Sequence, residues 1–184
     1  VTYLTRVPAE RIENHGETFH QMVMSLFPET LPGDVGTRRS QSNILFMVDG
    51  PNVIISSDVQ PDPDKLPSPS ATIRPRTEFA EGSVIRFRAA VNPIARRRTG
   101  GVRVVDTETW LAEKTAGALT HVTVHTSRRT TVDSGRSPVI VDTVDGEAVV
   151  TDPTQLARLL RTGIGRQKPF GCGLMMATTK EVAA

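Results

Sequence analysis

Four glycines crowd the eleven residues 163–173, GIGRQKPFGCG, between a helix signal and a strand signal. Asp152 is placed to cap a helix with Pro153 at its first position, Leu156, Leu159 and Leu160 line one face, and Gly163 stops it. Residues 174–178 then read as a closing strand, so the chain has to reverse within one short segment. Glycine permits positive φ and close backbone approach, which such a reversal needs. Arg166 and Lys168 lie inside the turn, flanked by Gly163 and Gly165 on one side and Gly171 and Gly173 on the other. Two readings are open: a tight connection that is merely basic, or a backbone cradle with cationic side chains suited to phosphate.

Upstream, the period of the apolar residues changes repeatedly. Residues 1–7 alternate and predict a strand closed by Pro8. From Glu17 onward Phe19, Met22, Val23, Leu26 and Phe27 fall on one helical stripe that Pro28 ends, with His20 at the stripe's edge. A polar loop carrying Arg38 and Arg39 follows. Residues 44–48 and 53–57, joined by the turn sequence DGPN, predict a hairpin. Five of the thirteen prolines lie within residues 60–78, which leaves room for a loop with one short helical turn. Residues 83–91 alternate again, with Ile85, Phe87 and Ala89 opposite Arg86 and Arg88.

The second half repeats this order. A strand at residues 102–105 leads to a helix capped by Asp106 and running through Trp110 and Leu111. A strand at 119–126, the loop SRRTTVDSGRS, a strand from Pro138 past a turn at Asp145 and Gly146, the Asp152 helix and the closing strand complete it. The pattern predicts an α+β fold of two tandem ferredoxin-like (RRM-like) domains, each an antiparallel sheet with helices on one face. The expected boundaries are 1–92, a basic linker at 93–101, and 102–184.

Charge is distributed unevenly. Residues 1–80 hold seven Lys/Arg against ten Asp/Glu, and the remainder fifteen against ten, mostly arginine. Arginine favours bidentate pairing with phosphate, so an anionic polymer is a fitting partner. Three clusters stand out: Arg96, Arg97 and Arg98; Arg128, Arg129 and Arg136; Arg166 and Lys168. Each alone reads as a solvated surface, and together they read as a groove for a phosphate backbone. At 4% aromatic residues there is too little for a stacking platform, which favours structured RNA over single strands.

The single cysteine, Cys172, excludes an intrachain disulfide and a thiolate metal cage. No apolar run reaches the ~18 residues of a membrane span, and no signal segment opens the sequence, so a cytoplasmic protein without membrane contact is expected. His121 and His125 share a parity on a strand but make no convincing metal site, and no cofactor fingerprint is present. No metal and no cofactor are expected.

Several segments carry a resemblance along essentially the whole chain: YLTRV, FHQMVMSLFP, FRAAVNPIARR, ETWLAEK and GIGRQKPFGCGLM. The sequence resembles the CasE family, the CRISPR RNA endoribonucleases of type I-E Cascade complexes. The resemblance implies two ferredoxin-like domains and metal-independent cutting of the CRISPR repeat RNA hairpin. The product would stay bound among the other Cascade subunits, with no DNA contact required for processing. It places the active histidine at His20 and matches Arg128 and Arg129 to the family's paired basic residues in a hairpin, Arg136 more weakly. The implied chemistry is attack by the RNA's own 2′-OH, giving a 2′,3′-cyclic phosphate and a 5′-OH, with His20 as general base.

The sequence departs from the family where relatives carry a tyrosine three residues before the histidine. Glu17 stands there, and Tyr3 is the only tyrosine. Three readings stay open: Glu17 transfers a proton, a neighbour such as His15 or Ser40 compensates, or cleavage is slow and the chain chiefly binds RNA.

Overall fold

The computed structural model describes residues 2–11, 19–34, 36–135 and 137–180. His15, Glu17 and Arg136 lie outside the described residues.

The first sheet is assembled from β1 (Tyr3–Pro8), β2 (Leu45–Asp49), β3 (Asn52–Ser57) and β4 (Ala71–Ile73), in the order β2-β3-β1-β4. Every pairing is antiparallel. Helix α1 (Phe19–Ser25) and the single-turn α2 (Arg38–Gln41) connect β1 to β2. The DGPN segment turns as its sequence predicts, pairing Asp49 with Asn52. Between β3 and β4 the prolines allow only a 3-10 turn at Pro63–Lys65.

The second sheet contains β5 (Val84–Val91), β8 (Leu119–Val132), β9 (Val139–Val150) and β10 (Met175–Thr179), ordered β10-β5-β9-β8. A small hairpin of β6 (Ile94–Arg96) and β7 (Val102–Val104) precedes α3 (Thr107–Thr115), and α4 (Pro153–Thr162) precedes β10. Asp106 and Asp152 cap α3 and α4, accepting from Thr109 N at 2.8 Å and Gln155 N at 3.0 Å. Each sheet thus has its first and third strands central and its second and fourth at the edges, the ferredoxin-like arrangement twice over.

The strand partners correct the expected boundary. Residues 84–91 open the second sheet instead of closing the first, and among the described residues β7 pairs only with β6. Alternation reveals which face of a strand is apolar, not which strand lies beside it. The true closing strand of the first sheet, β4, has three residues and no buried side chain to announce it. The change of sheet falls between β4 and β5, within residues 74–83.

Two other expectations fail in the basic hairpin. The segment read as a loop continues β8 through Arg128 and Arg129 to Val132, and Asp145-Gly146 lies within β9. Gly146 is there for space: a Cβ would lie 2.3 Å from Thr123 O and 2.5 Å from the Phe87 ring, where β8 shifts register.

Sheet one is covered on both faces, which explains its near-continuous apolar runs. Phe46, Val53 and Ile55 face Met22, Val23 and Phe27, while Leu45, Met47 and Ile54 face Ala90, Val139, Val141, Cys172 and Leu174. The second of these clusters welds the two sheets together. Cys172 is fully buried there, and burial pushes its thiol up to about 12, so it packs as a small apolar residue.

Candidate active site

Helix α1 presents His20 because its apolar stripe is anchored on the first sheet. Met22 and Val23 are buried, and the Phe19 ring stacks on Phe46 with centroids 6.5 Å apart. His20, one residue from Phe19, is held half-buried at the boundary. Burial, and secondarily the charge of Arg39, hold its imidazole below the ordinary value of 6.5. A neutral ring at neutral pH can accept a proton.

Arg39 is brought beside it by α2. This helix ends in a Schellman turn: Asn43 takes φ 47°, Asn43 N donates to Ser40 O and Ile44 N to Arg39 O at 2.9 Å. The Arg39 side chain returns to donate from Nη1 to Ile44 O at 3.1 Å, which fixes a half-buried guanidinium next to α1.

The glycine-rich segment supplies the third group. Gly163 ends α4 with φ 78°, where a Cβ would lie 2.8 Å from Gly173 O and from Leu45, so the loop leaves the helix flush against β2. Gly165, with φ 72°, packs on the Trp110 ring, and Gly171 and Gly173 sit against Phe46 and the Ile164 carbonyl. The loop then forms a 3-10 turn at Lys168–Phe170 that packs on α1 and β2. Lys168 donates from Nζ to Thr162 O at 2.5 Å, and its ammonium is lowered by burial and then by Arg39. His20, Arg39 and Lys168 therefore share one electrostatic neighbourhood drawn from both halves of the chain.

The remaining basic residues divide by commitment. Arg166 is exposed on the glycine-rich loop. Arg96, Arg97 and Arg98 are exposed and, with Arg103, line a shallow depression on the β6–β7 hairpin. Arg128 is exposed and lines a cleft of about 280 Å³ with Gly50, Arg88 and Asp145. Arg129 is different: Nε and Nη2 each donate to the buried Asp142 carboxylate at 2.7 Å, leaving only its outward edge for any other anion. Register shifts in β8 break the simple parity expected of His121 and His125. His121 takes φ 49°, and His125 Nε2 lies 3.8 Å from Glu147. Among the described residues no group of three or more His, Cys, Asp or Glu side chains is disposed to hold a metal ion.

Sequence reading passed over Arg39 as part of a polar loop. Its placement depends on the positive φ of Asn43, and asparagine at the end of a short polar run is a weak signal for that turn.

The model of the CRISPR associated protein family matches residues 3–178. The chain belongs to that family, and the resemblance drawn from its motifs is borne out. Comparison with curated proteins returned no match. Among solved structures the fold is similar to Thermus thermophilus Cse3 bound to an RNA representing a pre-cleavage complex, with a TM-score of 0.70, 21% identity, and 96% of this chain and 98% of that one covered. It is also similar to Cas6e from Escherichia coli K-12, with a TM-score of 0.63, 19% identity, and coverage of 96% and 98%. A chain of a CRISPR RNA-guided surveillance complex matches with a TM-score of 0.62 and 19% identity, over 97% of this chain and 100% of that one.

Proposed function

We propose that this protein is a metal-independent endoribonuclease that binds the CRISPR repeat stem-loop in precursor RNA, cleaves it, and retains the product as a Cascade subunit. The observation that carries the reading is a half-buried histidine whose proton affinity is lowered by burial and by the neighbouring Arg39, which in turn faces Lys168. His20 takes the proton of the 2′-OH, which attacks the adjacent phosphorus in line with the leaving 5′ oxygen. The P–O5′ bond breaks, leaving a 2′,3′-cyclic phosphate and a 5′-OH. Arg39 and Lys168 supply positive charge where the phosphorane gains negative charge. Glu17, three residues before His20 in sequence, is the candidate to protonate the leaving oxygen. Arg96, Arg97, Arg98, Arg128, Arg136 and Arg166 hold the RNA backbone, with Arg129 contributing through its outward edge. DNA and membranes take no part in the reaction.

Support comes from the family match and from likeness of fold to chains described as CRISPR endoribonuclease Cse3 bound to RNA. A second reading, an RNA-binding subunit that cuts weakly or not at all, is favoured by Glu17 standing where a tyrosine is expected. A cleavage assay on the cognate hairpin in EDTA separates them. Cutting by the wild type that His20→Ala abolishes, with binding retained, supports the first; binding without cutting by the wild type supports the second. Loss of cutting in EDTA would remove the metal-independent mechanism.

A further inference from the structure

We propose that Asp58 is a positioning residue that sets the two halves of the active site against each other; the proposal rests on the ribonuclease reading above. Asp58 follows β3 and is tied to the Arg39 side of the site twice. Its backbone N donates to Ser42 O at 2.9 Å, and its Oδ2 accepts from Asn43 Nδ2 at 2.6 Å. Asn43 is the left-handed residue of the Schellman turn that directs Ile44 O back to the Arg39 guanidinium. A carboxylate on the Asn43 amide therefore steadies the turn from which Arg39 is hung.

The same carboxylate also reaches the Lys168 side. Arg161, in the last turn of α4, donates from Nε to Oδ1 and Oδ2 at 3.0 Å each and from Nη2 to Oδ2 at 2.9 Å. The next residue, Thr162, supplies the carbonyl that receives the Lys168 ammonium. One carboxylate thus joins the turn holding Arg39 to the helix end holding Lys168, across the junction of the two sheets. Bidentate arginine pairing restricts orientation as well as distance, and catalysis by charge is sensitive to both. The Asp58 side chain is about 15% exposed and that of Arg161 about 56%, so the link is sheltered at its carboxylate end and open to solvent at the other.

The test uses the full chain as Asp58→Ala, Arg161→Ala and the double variant, with a non-cleavable 2′-deoxy hairpin for affinity and the native hairpin for single-turnover cutting. Hairpin affinity is expected to stay within about twofold, since none of the substituted groups is a proposed RNA contact. The single-turnover rate is expected to fall roughly ten- to a hundredfold. The double variant should cost little more than either single one, because both break one link. A purely structural role would not move the His20 titration, read by NMR in the free protein and assigned with His20→Ala. The charges facing that ring are Arg39 on α2 and, beyond it, Lys168 on the turn packed against α1. Freeing Arg39 should raise the His20 midpoint toward 6.5. A folded Asp58→Ala protein with wild-type rate and wild-type His20 titration would overturn the proposal, as would equal losses of binding and rate. If Asp58→Ala does not fold, Arg161→Ala, changed at the more exposed end of the pair, is judged by the same readouts. If the wild type binds the hairpin without cutting, the ribonuclease reading fails, and the His20 titration still decides the role of Asp58.

Discussion

Arg129 and Asp142 form a fork-to-fork pair in which two 2.7 Å hydrogen bonds enter a carboxylate with no exposed surface, and Thr107 Oγ1 donates to the same group. Neighbouring arginines on one strand thus have different occupations. Arg129 closes a buried charge, and Arg128 is exposed beside it, as the RNA contact proposed for it requires. Arg129→Ala should destabilise the protein by roughly 3 kcal/mol, the lower end of what breaking a buried pair costs, because Arg129 itself stays half in water. Arg128→Ala should leave the melting temperature alone, weaken hairpin binding, and reduce the salt slope by about one. Thermal melts and binding isotherms at several salt concentrations separate the two.

Asp142 also makes stability depend on pH. Burial raises its proton affinity, but the hydrogen bonds from Arg129 and Thr107 outweigh this and hold the carboxyl below its ordinary 3.8. A carboxylate with a depressed native value stabilises fully above the unfolded value and loses that contribution as pH falls through the native one. The gap in melting temperature between wild type and Asp142→Asn is expected to be constant above pH 5 and to narrow below about 3.8.

His20 carries a proton linkage of the same sign in a higher pH window. Because its native value lies below 6.5, the folded state resists protonation and loses stability as pH drops below 6.5. As a general base it works unprotonated, so the acid limb of the kcat/KM profile should rise with pH with a midpoint on the acid side of 6.5. His20→Ala should lower the single-turnover rate by about 10²- to 10⁴-fold. Arg39→Gln should lower it by about 10²-fold and move the midpoint upward. A midpoint above 6.5 in the free enzyme would contradict the base assignment.

Much of this was legible in the sequence wherever local chemistry dictates local structure. Asp106, Asp152 and Pro153 start helices, DGPN closes a hairpin, and Gly163 ends α4, each through a requirement its own residues reveal. What escaped depends on partners distant in sequence. The assignment of β5 to the second sheet is set by its pairing with β9 and β10, and Gly146 reads as a turn until Phe87 and Thr123 crowd it. The site divides the same way. His20 is visible from helical phase and family motif, whereas Arg39 and Asp58 acquire meaning only when Asn43 and Arg161 bring them together.

The glycine-rich loop offers a final test of whether its glycines position Lys168 or only close a turn. Gly165 has φ 72°, and a Cβ there would stand 2.7 Å from the Trp110 ring, which is buried and cannot withdraw without disturbing α3. Gly165→Ala therefore adds backbone strain of about 1–2 kcal/mol to a steric conflict. Trp110 is the only tryptophan, so its fluorescence reports the displacement directly. We expect a shifted emission maximum, a lower melting temperature, and a single-turnover rate that falls more than hairpin affinity, because the turn bearing Lys168 moves relative to α1. Exposed Arg166 on the same loop gives the contrast: Arg166→Ala should reduce affinity and salt dependence with Trp110 emission unchanged. If Gly165→Ala shifts the emission but leaves the rate intact, the loop's geometry serves folding alone, and Lys168 does not depend on it for its place beside Arg39.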